Sequence, residues 1–130
     1  MYPSATQLLV VVLQAQFSSV RVCTELPEGL ELVLPVIQVS RFGGGAAVVG
    51  MDRPMIDVDV WHSTLEAAEV LGSQVSEWMH LGLPGRSASG PSGAGVFARS
   101  HMQSGMARRP TANTDVFRVG SAWTLHLHSY

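Results

Sequence analysis

The chain has 130 residues, 46% of them hydrophobic and 14% charged, a formal net charge of −2 and a single cysteine. That is enough apolar material to fill the core of one domain, and too much for a disordered chain. All eight cationic side chains are arginine, which excludes a Walker-A phosphate loop and any chemistry that runs through a lysine Schiff base, pyridoxal chemistry included.

The first expected element is a helix over Ser4–Phe17. Ser4 suits an N-cap, and Ala5, Leu8, Leu9, Val12 and Leu13 recur at helical spacing, although the run Val10-Val-Val12 favours a strand by propensity. The longest apolar run, Leu8–Leu13, is far short of a membrane span. No basic residue precedes it, so a signal peptide is not expected and a soluble product made in the cytoplasm is. Val20–Leu26 then alternates like a strand, and Pro27-Glu-Gly29 is turn chemistry. Cys23 lies in that strand, either as a small buried apolar residue or as a reactive thiol. Pro35–Phe42 is a second strand, broken by Gly43-Gly-Gly45.

Pro54–His62 is the clearest strand, with Ile56, Val58 and Val60 pointing one way and Asp57, Asp59 and Trp61 the other. Ser63-Thr-Leu-Glu66 matches a capping box and opens a helix to about Leu81. Its apolar stripe includes Leu65, Ala68, Leu71, Val75, Trp78 and Met79, which places Trp78 in one core with Ile56. Gly82-Leu-Pro-Gly85 ends it. Arg86–Gly95 is Ser/Gly-rich and expected as a mobile loop. Val96–Ser104 alternates Val96, Ala98, Ser100 and Met102 against Phe97, Arg99, His101 and Gln103. Gly105–Thr114 is a second long connection, and Val116–His128 the last strand, bulged at Gly120. The order α-β-β-β-α-β-β defines an α+β fold, with two helices on one face of a mostly antiparallel, mixed sheet of about five strands, residues 1–130 forming a single domain.

Five patterns bear on chemistry. His126-x-His128 can begin a zinc site, with His62, His80 or His101 to complete it, or is simply a polar strand face. Asp57-x-Asp59 suits Mg²⁺ binding or acid–base work; the alternative is a solvent face, or an edge pairing with arginines of a neighbouring subunit. Arg108-Arg109 suits phosphate or a salt bridge across a subunit interface. The glycine loop after Phe42 lacks a dinucleotide fingerprint, and Gly90-Pro-Ser92-Gly-Ala94 lacks the closing glycine of a nucleophile elbow. No catalytic constellation and no cofactor are expected.

A series of segments nevertheless resembles one family. The N-terminal helix leads into Val20-Arg-Val-Cys-Thr-Glu-Leu-Pro27, then Leu34-Pro-Val-Ile-Gln-Val-Ser-Arg41 with its glycine break, then Asp52-Arg-Pro-Met-Ile-Asp-Val-Asp-Val60 and a capped Ala-rich helix. Leu83-Pro-Gly-Arg86, Thr114-Asp-Val-Phe-Arg118 and Trp123-Thr-Leu-His-Leu127 follow in order. In this succession the chain is similar to the tail terminator proteins of long-tailed bacteriophages, the lambda-type group, over roughly Thr6 to His128. The Ser/Gly-rich Arg86–Gly95 segment departs from the pattern.

The resemblance implies a virion protein without enzymatic activity. It would form a homo-hexameric ring on the head-proximal end of the tail tube, contacting the tail tube protein on one side and the head–tail connector or stopper protein on the other. Genomic DNA would pass through the lumen without sequence-specific contact. Interface residues expected on this basis are Arg108, Arg109, Asp57, Asp59 and Arg86. A head-side stopper ring of the neck is the nearest alternative, and a small metal-dependent enzyme using His126 and His128 a more distant one.

Overall fold

The computed structural model describes residues 3–48 and 50–129, with the side chains of 46–48 set aside. Helix α1 (Ala5–Gln16) begins at Ser4, whose Oγ accepts from the Gln7 backbone N–H at 3.3 Å. Ala5, Leu8, Leu9, Val12 and Leu13 are buried along one stripe, so packing overrides the β propensity of the valine run. Two side chains tie this helix to the sheet. Gln14 imitates a strand residue, donating to Val20 O at 2.7 Å and accepting from Val22 N–H at 3.0 Å. Gln7 Oε1 accepts from Ser92 Oγ at 2.8 Å.

Six strands follow: β1 (Arg21–Cys23), β2 (Val36–Val48), β3 (Met51–His62), β4 (Arg86–Gly90), β5 (Gly93–Arg109) and β6 (Phe117–Ser129). A short 3₁₀ turn, Leu30–Leu32, precedes β2, and helix α2 (Leu65–Leu81) lies between β3 and β4. The sheet order is β1-β2-β3-β6-β5-β4, antiparallel throughout except for the parallel β1–β2 pair. The α+β class therefore holds, with six strands and the chain order α-β-β-β-α-β-β-β instead of the expected five.

Both helices cover the same face. Ile37, Val39, Ile56, Val58 and Val60 join Val119, Trp123, Leu125 and Leu127 in one core with α1 and α2, and Trp78 and Ile56 are both in it. Trp78 meets Phe17, the C-cap residue of α1, edge to face, with ring centroids 6.3 Å apart. Gly72 lets α2 settle onto the sheet, because a Cβ there would run into Met106 and Val119. The cap of α2 is one residue later than the capping box predicts: Thr64 Oγ1 accepts from Ala67 N–H at 3.1 Å, while the Ser63 N–H donates to His62 Nδ1. Ser63 is thus still outside the helix, and Glu66 contributes through its charge in the first turn.

Several loop expectations give way to strand. Gly43-Gly-Gly45 does not break β2; the register slips between Arg41 and Gly43, and Gly44 takes a positive φ of 85° with a Cβ position closed by the Arg53 backbone. Arg86–Gly95 is not a mobile loop but the tight β4–β5 hairpin, turning at Pro91-Ser92. Strand β5 runs on to Arg109, which leaves a connection of only 110–116. The expected alternation of β5 fails at a register shift between Phe97 and Arg99, so Phe97 and Ser100 are both buried on the helix side. The expected strand Val20–Leu26 shrinks to Arg21–Cys23.

The sheet has two ends. At the near end Val36, Trp61, Arg118 and Arg109 lie side by side across β2, β3, β6 and β5; at the far end are Met51, His128 and Val96. Beyond the sheet's helix-covered side, segment 24–35 folds over the near end of the opposite face. There Val36, Trp61 and Val116 form a second buried cluster with Cys23, Leu26, Leu30, Val33 and Leu34 against it. Among the described residues, no helix is long and apolar enough to cross a membrane.

Candidate interface on the open sheet face

The face opposite the helices takes the odd positions of β3 and the even positions of β6. Asp57 and Asp59 therefore share it, as the alternation predicts, but their surroundings differ from both sequence alternatives. Asp59 is 1% exposed. Arg109 Nη1 donates to Asp59 Oδ1 at 2.9 Å, Arg118 Nη2 donates to Asp59 Oδ2 at 2.9 Å, and Arg109 Nη2 donates to Asp57 Oδ1 at 3.1 Å. The arginines are the chain's own. An unpaired buried carboxylate would be strongly unfavourable, and two charge-assisted donors, one per oxygen, satisfy it.

The network continues sideways. The Arg118 guanidinium carbon stands 5.1 Å from the centre of the Trp61 ring. Trp61 Nε1 donates to Gln38 Oε1 at 3.2 Å, and Gln38 Nε2 to Thr24 O at 3.3 Å. Four strands, β2, β3, β6 and β5, are thus stitched together across the open face. The Asp59–Arg109 contact spans the intervening strand β6 at Gly120, where a Cβ would collide with the Asp59 carboxylate and the Arg109 guanidinium. Gly120 is the gap through which the ion pair forms; the bulges are in β5, between Met102 and Ser104 and between Ser104 and Ala107.

Of the other expected interface residues, Arg108 is exposed, with its guanidinium carbon 5.5 Å from the Phe117 ring centre. It borders a cavity of about 400 Å³ with Arg109, Thr111, Thr114, Phe117 and Arg118 at the near end of the sheet. Arg108 and Arg109 close strand β5 instead of lying in a loop; Arg109 is paired with Asp57 and Asp59, and Arg108 has no acidic partner among the described residues. Arg86 turns toward the helix side, where its Nε donates to Gly82 O at 3.2 Å beyond the end of α2. Its placement fits a helix-end contact.

His126 and His128 share the open face at the far end, and the His101 ring lies 5.6 Å from that of His126. His62 and His80 lie away from them, beside and on α2. Among the described residues, no group of three His, Cys, Asp or Glu side chains is arranged to hold a metal. Partial burial lowers the His126 pKa from its ordinary value, and the nearby cations Arg53, His101, Arg99 and His128 lower it further. Cys23 is half-buried, and burial raises its thiol pKa against the opposing pull of Arg21. Its thiolate is therefore disfavoured, in keeping with an apolar packing role.

Arg118, Trp61, Gln38, Arg53 and Arg99 are not among the interface residues expected from the sequence. Their only local signal is strand alternation; what joins them is the register of distant strands. No family model matches the chain, and comparison with curated proteins gives no match.

Proposed function

We propose that the chain is a non-enzymatic ring subunit that caps the head-proximal end of a phage tail tube, stops its polymerisation and presents a docking surface to the head connector. The resemblance supplies the sixfold number, the virion location, the tube and connector partners, and the passage of genomic DNA through the lumen. What supports the reading physically is the state of the sheet edges. Among the described residues, β2 is paired on its outer side only over Val36–Gln38, and β5 only over Gly93–Phe97. Val39–Val48 and Ala98–Arg109 therefore present long bare edges on opposite sides of one sheet.

Such edges invite uncontrolled pairing unless they are covered. Head-to-tail closure covers both in every copy and leaves none over, as open chains or isolated dimers do not. The two edges run antiparallel to each other, so the β2 edge of one copy can extend the antiparallel sheet at the β5 edge of the next. They lie at opposite ends of the sheet, and a strand tilt against the ring axis absorbs that offset, as in closed barrels. The turn at Pro91-Ser92 and the connection 110–116 emerge at opposite ends of β5, one for each axial neighbour.

The test is coexpression of the chain with a cognate tail tube protein. Tubes of bounded length carrying a ring at one end support the reading, and tubes that elongate without limit in its presence overturn it.

A further inference from the structure

The two halves of the open face differ in one respect. At the near end, every charge of the Asp57, Asp59, Arg109 and Arg118 group is answered within the chain. At the far end, among the described residues, the charged side chains of this face are all of one sign. Arg99 of β5 is the register partner of His126 of β6, and the flanking pairs Met51↔His128 and Met55↔Thr124 set Arg53 of β3 opposite His126 on its other side. Arg53, His126 and Arg99 thus form a row across three neighbouring strands. His101 adjoins it at 5.6 Å between ring centres, and His128 is two residues along β6 on the same face.

Among the described residues none of these five side chains has an acidic partner. The nearest carboxylates along β3 are committed elsewhere: Asp52 holds Arg41 in a two-point bridge at 2.7 and 3.0 Å, and Asp57 holds Arg109. Like charges directly opposite one another destabilise a sheet. The row spreads over three adjacent strands of the open sheet face, a field of cationic points and not one point charge. A spread of cationic points of this kind suits a polymer carrying regularly repeated negative charges, which it would hold through counterion release and not through base recognition.

We propose that Arg53, Arg99, His101, His126 and His128 form a binding surface for the phosphate backbone of nucleic acid. The two arginines carry the contact at neutral pH. His126, whose pKa is held down by burial and by the cations beside it, gains its proton more readily once phosphate supplies a counter-charge. The groups facing His126 are Arg53 from β3, Arg99 and His101 from β5, and His128 from its own strand, all cationic or able to become so. This inference stands on the row itself and does not require the ring.

The experiment is fluorescence anisotropy of a labelled mixed-sequence duplex oligonucleotide titrated with the full chain at low salt. The Arg53→Gln/Arg99→Gln double variant is expected to bind about tenfold more weakly. Arg21→Gln/Arg86→Gln removes the same formal charge elsewhere and is expected to bind as the parent does. Affinity is expected to rise between pH 7.5 and 5.5, and His101→Gln/His126→Gln to remove most of that rise while His62→Gln/His80→Gln does not. Equal loss in both arginine pairs would reduce the effect to overall charge and overturn the proposal. So would absence of binding at either pH, or displacement of the duplex by polyglutamate at lower charge concentration than by unlabelled duplex, which would make an acidic protein the partner.

Discussion

Asp59 and Arg109 meet across the full width of an intervening strand, Arg109 Nη1 reaching Asp59 Oδ1 at 2.9 Å over the bare backbone of Gly120. The contact exists only because β6 has no side chain at that point. Gly120→Ala should therefore separate the pair and leave Asp59, which is almost fully buried, with Arg118 alone. Breaking a buried pair is costly, but Arg109 is partly solvated, so the expected loss is about 2–4 kcal/mol in chemical denaturation. Asp59→Asn, which weakens the Arg118 contact as well, should cost at least as much and be non-additive with Gly120→Ala, because both remove the Asp59–Arg109 contact. Additive losses would show that Gly120 serves something other than this bridge.

The start of α2 gives a sharper contrast. Thr64, not Ser63, accepts the Ala67 N–H. Thr64→Ala is expected to lower stability by about 1 kcal/mol, and Ser63→Ala by a few tenths, measured by thermal unfolding. The reverse order would restore the capping box that the sequence suggests.

Trp78 of α2 is buried in the core that the helices share with the sheet, and its indole Nε1 is buried without a hydrogen-bond partner among the described residues. Trp78→Ala should cost about 3–5 kcal/mol through the cavity left behind. Trp78→Phe should cost about 1 kcal/mol or less, since it retains an aromatic partner for Phe17 and removes an unsatisfied donor. A loss as large as that of the alanine variant would mean that the indole N–H is satisfied in solution.

The His126 pKa is lowered below its ordinary value of 6.5, first by burial and then by Arg53 and the other cations beside it. In the interval between its folded and ordinary values the unfolded chain takes up the proton and the folded chain does not. Stability should therefore fall as pH drops through that interval and level off below it. Proton-detected titration of the imidazole should give a midpoint under 6.5, and Arg53→Gln should move it upward. A midpoint at or above 6.5 would contradict the cationic row.

What the sequence discloses divides along a physical line. The facing of Pro54–His62 is legible because a strand's period of two is local, and the helix stripes are legible for the same reason. The hairpin Arg86–Gly95 is not, because its serines and glycines carry no periodicity and pair only through contact with α1 and β5. The partners of Asp59 are invisible for a different reason. Arg109 lies 50 residues further on, and its alignment depends on three register shifts within β5 that no local pattern announces. The first of these shifts, between Phe97 and Arg99, sets Arg99 beside His126, so the cationic row, like the ion-pair network, is a property of register and not of composition.

In the proposed assembly the bare edges of β2 and β5 join copies of this chain into a closed ring at the top of a tail tube. An electron cryomicroscopy map of the assembled particle at the tail–head junction tests it most directly. The account predicts sixfold density for this protein, with Val39–Val48 of each copy running beside Ala98–Arg109 of the next. A ring of other symmetry, or copies that meet through their helices while both strand edges stay bare, would contradict it.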